Sequence, residues 1–185
     1  MKRPKVVTAF GSSRPREGEP HYAEAQALGR VLASAGFAVC SGGYGGVMEA
    51  VSRGAKEAGG HTLAVTTNFF RVRANQWIDE EIRVDTWQDR LFGLIERGHG
   101  FVVCPGGTGT LVELAVVWEM LNKGAMKKKP VVTLGEFWWP VIERVREVET
   151  GHPSRWGEGS EAIVRTAALP ADAASLLAQI LLKPS

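Results

Sequence analysis

Two hydrophobic periods alternate along this chain. Short apolar runs free of charge are followed by stretches in which apolar residues recur every three or four positions, the marks of buried strands and one-sided helices. Lys5 to Phe10 predicts a first strand, with Val6, Val7, Ala9 and Phe10 for the core, closed by Gly11-Ser12-Ser13. A polar loop from Arg14 to Pro20 follows. From Tyr22 the positions Ala25, Leu28, Val31 and Leu32 predict a helix that stops at Gly36. Phe37 to Cys40 predicts the second strand. The glycine-rich turn Gly42 to Gly46 opens a second helix running to Gly59-Gly60, and Thr62 to Val65 predicts the third strand. Asn68 to Asp79 reads as a long irregular connection. Two readings of it stand, a lid over a site or aromatic packing at the sheet edge. Ile82-Arg83-Val84 predicts a short strand and Trp87 to Arg97 a helix with Leu91, Leu94 and Ile95 inward. Further on, Val131 to Leu134 predicts a strand and Phe137 to Val148 a helix. Thr150 to Ser160 predicts a loop, Ala162 to Thr166 a last strand, and Pro170 to Leu182 a closing helix with proline at its start. Strand, helix, strand, helix, strand implies right-handed parallel crossovers. The expected fold is therefore α/β: a Rossmann-like, doubly wound parallel sheet flanked by helices in three layers, with residues 1–185 forming a single domain.

The richest stretch is Phe101 to Glu113. Four apolar residues run into Pro105-Gly106-Gly107-Thr108-Gly109-Thr110, and a helical pattern then continues to about Asn122. Backbone N–H groups at a helix start lack partners of their own, and the aligned peptide dipoles favour an anion there. Gly106, Gly107 and Gly109 would let the backbone approach a ligand, while Thr108 and Thr110 add hydroxyls. Glu113 is expected in the first helical turn, facing the same pocket. The alternative is a plain sharp corner followed by a glutamate that the dipole favours. One observation favours a site: Gly11-Ser12-Ser13, Gly42 to Gly46, Thr66-Thr67 and Pro105 to Thr110 all follow strands, so they collect on one sheet edge, where doubly wound proteins bind ligands.

Composition narrows the field. At 185 residues the chain can bury a continuous sheet without disulfides. A net charge of +2 gives no argument for nucleic acid, and Lys127-Lys128-Lys129 reads as a solvated strand entry. Cys40 and Cys104 each end an apolar run and are expected inside as small hydrophobes. No Cys/His spacing suggests a metal, and no apolar stretch suggests a membrane span or a signal peptide. A cytoplasmic protein with no metal or cofactor is the expectation.

The glycine-led run with Met48-Glu49-Ala50, Arg90 upstream, and Pro105-Gly106-Gly107-Thr108-Gly109-Thr110 followed by Glu113 together resemble the LONELY GUY family, long labelled lysine-decarboxylase-like. The resemblance extends over roughly Lys5 to Val132. It implies a Rossmann-like homodimer or higher homo-oligomer that binds nucleoside monophosphates such as AMP. It also implies hydrolysis of the N-glycosidic bond to free base and ribose 5-phosphate. On that resemblance Arg90 and Glu113 are the expected catalytic residues. The expected phosphate and nucleotide contacts are Gly11, Ser12, Gly43, Met48, Gly106, Gly107, Thr108, Gly109 and Thr110. Trp118, Met120 and Leu121 are candidates for a self-complementary dimer face. Some positions depart from the cytokinin-activating members: Leu91 stands where they carry lysine, Glu49 where they carry glycine, and Trp118 where they carry a small polar residue. Val47 to Ala50 is closer to a neighbouring branch that includes molybdenum-cofactor carrier proteins. Three readings therefore stand: a phosphoribohydrolase, a non-catalytic nucleotide or molybdenum-cofactor carrier or sensor, and a structural oligomer.

Overall fold

The computed structural model describes residues 3–151 and 163–183. The strands are β1 (Val6–Phe10), β2 (Ala38–Ser41), β3 (Thr62–Thr67), β4 (Glu80–Val84), β5 (Gly100–Val103), β6 (Val131–Leu134) and β7 (Val164–Ala167). The helices are α1 (Pro20–Ser34), α2 (Val47–Glu57), α3 (Trp87–Arg97), α4 (Thr108–Asn122), α5 (Trp139–Gly151) and α6 (Pro170–Leu181). The seven strands among the described residues are all parallel, in the order β4-β3-β2-β1-β5-β6-β7, so the doubly wound sheet is as expected. Strand order reverses between β1 and β5, and the crevice beyond their carboxyl ends is the switch point.

The five inner strands, β3, β2, β1, β5 and β6, are buried on both faces, which is why they read as largely apolar runs rather than alternating ones, whereas the edge strand β4 is largely exposed. Successive residues serve opposite layers. Val7, Ala9, Val39, Val102 and Leu134 pack with α1, α2 and α6. Phe10, Cys40, Val65, Phe101 and Val103 pack with α3, α4 and α5. Boundaries move only slightly: β3 runs on to Thr67, β4 starts at Glu80, and α5 opens at Trp139. Gly36 is the expected helix terminator, with φ of +87°. Residues 152–162, and with them most of the expected loop from Thr150 to Ser160, lie outside the described residues. Lys129 differs from its reading as a solvated entry: its Nζ donates to the Ile95 carbonyl at 3.0 Å, closing the C-terminal end of α3.

Helices α1 and α2 meet closely at two glycines. A Cβ on Gly29 would lie 2.0 Å from the Val51 carbonyl oxygen, and one on Gly54 would lie 1.9 Å from that of Gln26. Neither obstacle is a flexible side chain, so the helices themselves must separate. Gly29→Ala is accordingly expected to lower stability by about 3 kcal/mol. A urea midpoint unchanged from wild type, at equal slope, would show that the pair yields without cost.

Candidate functional site

Three chain segments are laced together at the switch point. The Ser12 N–H donates to the Pro105 carbonyl at 3.3 Å, and the Ser12 carbonyl accepts the Val47 N–H at 2.8 Å. Ser12 Oγ in turn accepts the Arg14 N–H at 3.1 Å. Gly11 sits tight beneath: a Cβ there would fall 2.4 Å from Val47 Cγ1. Ser12 and Gly11 thus fix the turn after β1 against the starts of α2 and the β5–α4 turn.

The β5–α4 turn has the open backbone that its sequence suggests. Gly107 is the N-cap of α4 with no side-chain cap, and the first N–H that bonds back to it is that of Leu111, at 2.9 Å. The N–H groups of Thr108, Gly109 and Thr110 precede any intrahelical bond and point out of the helix start. A Cβ at Gly107 or Gly109 would meet nothing within 4 Å, and Thr108 is exposed. Gly106 is different, since its Cβ would fall 2.2 Å from Thr110 Oγ1. Thr110 is buried and supports the turn from below. Glu113 stands in the second turn of α4, not the first, because Thr108 to Leu111 form the first turn. It lies four residues after Gly109 and so on the same helix face. Beyond the first turn the dipole falls away, which weakens the dipole account of this glutamate.

Arg90 of α3 reaches into the same space. Its Nη1 is 4.0 Å from Glu113 Oε1, with 8 % and 15 % of the two side chains exposed. Its Nη2 lies 3.7 Å from Met48 Sδ, and its buried Nε has no hydrogen-bond partner among the described residues. Rings cover the guanidinium: Tyr44 at 5.3 Å and Phe70 at 5.7 Å from Cζ. Gly42 gives it passage, since a Cβ there would fall 1.7 Å from Nη2. Burial pushes the Glu113 carboxyl up to about 7, with Arg90 pulling it only partly back. Burial also lowers the Arg90 pKa against the opposing pull of Glu113, yet an arginine stays a cation. The pair is too far apart for the charge-assisted contact that would offset desolvation of both groups.

Among the expected contacts, Arg90, Glu113 and Met48 converge, and the Gly106 to Thr110 turn opens α4 above Glu113. Gly43 has another role. Its N–H donates to Ser41 Oγ at 3.1 Å, its φ is +76°, and a Cβ would fall 2.7 Å from that of Ala64. Gly42 is the glycine that touches the arginine. Tyr44 and Phe70 were not among the expected site residues either. Trp118 is only 5 % exposed and packs inside, so it does not belong to the expected dimer face. The connection after β3 is tethered at Asn75, whose side-chain amide donates to the carbonyls of Gly43 at 3.1 Å and Tyr44 at 3.0 Å. Phe70 also walls a cavity of about 560 Å³ shared with Phe69, Asp85, Thr86, Trp87 and Gln88.

A doubly wound sheet with a glycine-led helix start and an Arg–Glu pair at its switch point defines the Rossmann-like class with a ligand-facing carboxyl edge. The chain belongs to the SLOG cluster4 family, whose model matches residues 4–154. It is 36 % identical over 130 residues to a cytokinin riboside 5′-monophosphate phosphoribohydrolase of Mycobacterium tuberculosis, covering 69 % of this chain and 68 % of that protein. The counterpart of the same name in Mycobacterium marinum is 33 % identical over 139 residues, covering 71 % and 73 %. In fold the chain is similar to the molybdenum cofactor carrier protein of Chlamydomonas reinhardtii, with a TM-score of 0.72 and 24 % identity over 98 % of this chain and all of that one. The kinship with the LONELY GUY group is thereby shown, while the likeness to the molybdenum cofactor carrier is one of fold. No helix among the described residues is long and apolar enough to cross a membrane.

Proposed function

We propose that this protein is a nucleoside 5′-monophosphate phosphoribohydrolase, with Arg90 and Glu113 as its catalytic pair. The observation that carries this reading is the unsatisfied arginine. A buried guanidinium whose Nε has no acceptor among the described residues, whose Nη2 meets a thioether and whose carboxylate neighbour stands at 4.0 Å is a receptor for oxygen atoms of a ligand. The N–H groups opening α4 take the 5′-phosphate, which fixes the ribose over Glu113. As the C1′–N bond breaks, its electron pair leaves with the base and positive charge builds on the ribose. The Glu113 carboxylate stabilises that charge and takes a proton from the water that adds to C1′; the departing base is protonated from solvent. Arg90 holds the sugar-phosphate in line and balances the carboxylate.

The test is direct. Incubation with a panel of nucleoside monophosphates is expected to yield free base and ribose 5-phosphate, seen by chromatography, while the matching nucleosides stay intact. Without its phosphate a nucleoside has nothing to place at the helix start.

A second reading, a nucleotide or molybdenum-cofactor carrier, is favoured by Leu91. It is 5 % exposed and packs in the α3–α4 layer, so no ammonium group stands where the cytokinin-activating enzymes carry lysine. AMP binding without base release from any monophosphate would establish that reading in place of the first.

A further inference from the structure

Arg90 poses a physical question. A buried cation beside a carboxylate ordinarily closes on it to about 2.8 Å. Here the gap is 4.0 Å. Among the groups around Arg90, Tyr44 has the means to hold the fork away. Its ring lies under the guanidinium at 5.3 Å, within the range of a cation–π contact. That ring cannot swing. The Tyr44 hydroxyl donates to the Thr67 carbonyl at 3.2 Å and accepts the Thr67 N–H at 2.9 Å. At the other end its backbone carbonyl accepts the Asn75 amide. Phe70 meets the Tyr44 ring edge-on at 5.8 Å and covers Arg90 as well. Two ring faces thus share the cation with Glu113, and the better anchored of them is the tyrosine.

We propose that Tyr44 is the positioning residue of this site: its tethered ring holds the Arg90 guanidinium off Glu113, keeping the fork open for the acceptor oxygens of a sugar phosphate. Without the ring, Arg90 closes onto Glu113. The fork is then occupied by the protein's own carboxylate, and the ligand must break that pair before it binds. The role is distinct from catalysis, since Tyr44 spends its only polar group on Thr67.

The inference rests on reading Arg90 and Glu113 as the working pair, but its test needs no turnover. Few titratable groups face the pair. Arg90 from α3 faces Glu113, while Glu113 from α4, the Tyr44 phenol and the Cys40 thiol from β2 face Arg90. Burial pushes the Cys40 thiol up to about 12, so it stays neutral near pH 7. The midpoint of Glu113 therefore reports how close Arg90 stands.

That midpoint is read by NMR on protein carrying carboxyl-labelled glutamate, with the signal assigned by its absence in Glu113→Gln. In Tyr44→Leu the midpoint is expected to fall by about one pH unit, as for a carboxylate gaining a contact arginine. Ribose 5-phosphate, titrated calorimetrically, is expected to bind about tenfold more weakly. Tyr44→Phe keeps the ring but frees it from Thr67, and is expected to lower the midpoint by less than Tyr44→Leu does. A wild-type midpoint and affinity in Tyr44→Leu would overturn the proposal, as would a shift in Tyr44→Phe equal to that in Tyr44→Leu. If Tyr44→Leu does not fold, Tyr44→Phe carries the test: it frees the ring from Thr67, must lower the midpoint, and an unmoved midpoint refutes the proposal. Wild-type protein that releases no base would sink the enzymatic reading alone, leaving the midpoint to decide this one.

Discussion

Glu113→Gln is expected to release base from AMP about a thousandfold more slowly than wild type, while binding AMP within a few-fold as tightly. The amide keeps the size and one acceptor of the carboxylate but neither the negative charge nor the ability to take a proton. Both are needed chiefly as the C1′–N bond opens, so kcat should fall with little change in affinity. The pH profile gives an independent check. Burial holds the Glu113 carboxyl near 7, so in wild type kcat/KM should rise as pH increases through about 7. The variant should lose that limb and keep only the titration of the substrate phosphate, near pH 6. A wild-type rate in the variant would remove Glu113 from the chemistry.

The same carboxylate carries a cost in stability, and its sign follows from linkage. The folded-state pKa lies above the ordinary value of 4.5, so the folded protein holds this proton more tightly than the unfolded chain. The associated stability is full below about 4.5 and is lost as pH rises through about 7. Glu113→Gln, resembling the protonated form, should therefore gain on wild type in stability across that window. A site residue that is stabilising when removed is what a stability–activity trade-off predicts.

The extent to which the sequence declared this arrangement differs between its parts. α3 matches its expectation residue for residue because both its ends are written locally. Thr86 Oγ1 accepts the Asp89 N–H at 3.0 Å as an N-cap, and Gly98 ends the helix. β6 is equally plain as a short apolar run behind Pro130. In contrast, α4 is apolar nearly all round, so periodicity gave no indication that Trp118 faces inward. Glu113 was legible from its place after the glycine-rich turn, whereas Arg90 was legible only through resemblance, since neither spacing nor charge singles it out from other helix residues. Tyr44, Phe70 and Gly42 around Arg90 were legible by neither route. They meet it only because β2 and β3 are neighbours in the sheet and α3 packs against both, and such contacts leave no local pattern. Gly43 drew notice for standing in a glycine run, yet its conformation serves the β2–α2 turn while its neighbour clears the path of the arginine.

Gly107→Val is expected to weaken AMP and ribose 5-phosphate binding by about a hundredfold or more, with the fold retained. The substitution is clean for structural reasons. Gly107 has φ −92° and ψ −155°, extended backbone that valine adopts readily, and a Cβ there meets nothing within 4 Å. The new side chain therefore fills only the space in front of the α4 start, where a phosphate must come within about 3 Å of the N–H groups. Gly106→Val would be a poor substitute, because its Cβ collides with the buried Thr110 and unseats the turn. The melting temperature of Gly107→Val should thus stay within a few degrees of wild type, while calorimetry detects little binding of either phosphate ligand. Ribose 5-phosphate is the informative probe, since it has no base and leans on this anchor more than AMP does. Undiminished affinity for it in the folded variant would place the phosphate away from the β5–α4 turn, and Arg90 would then be the only part of the proposed anchor left to hold it.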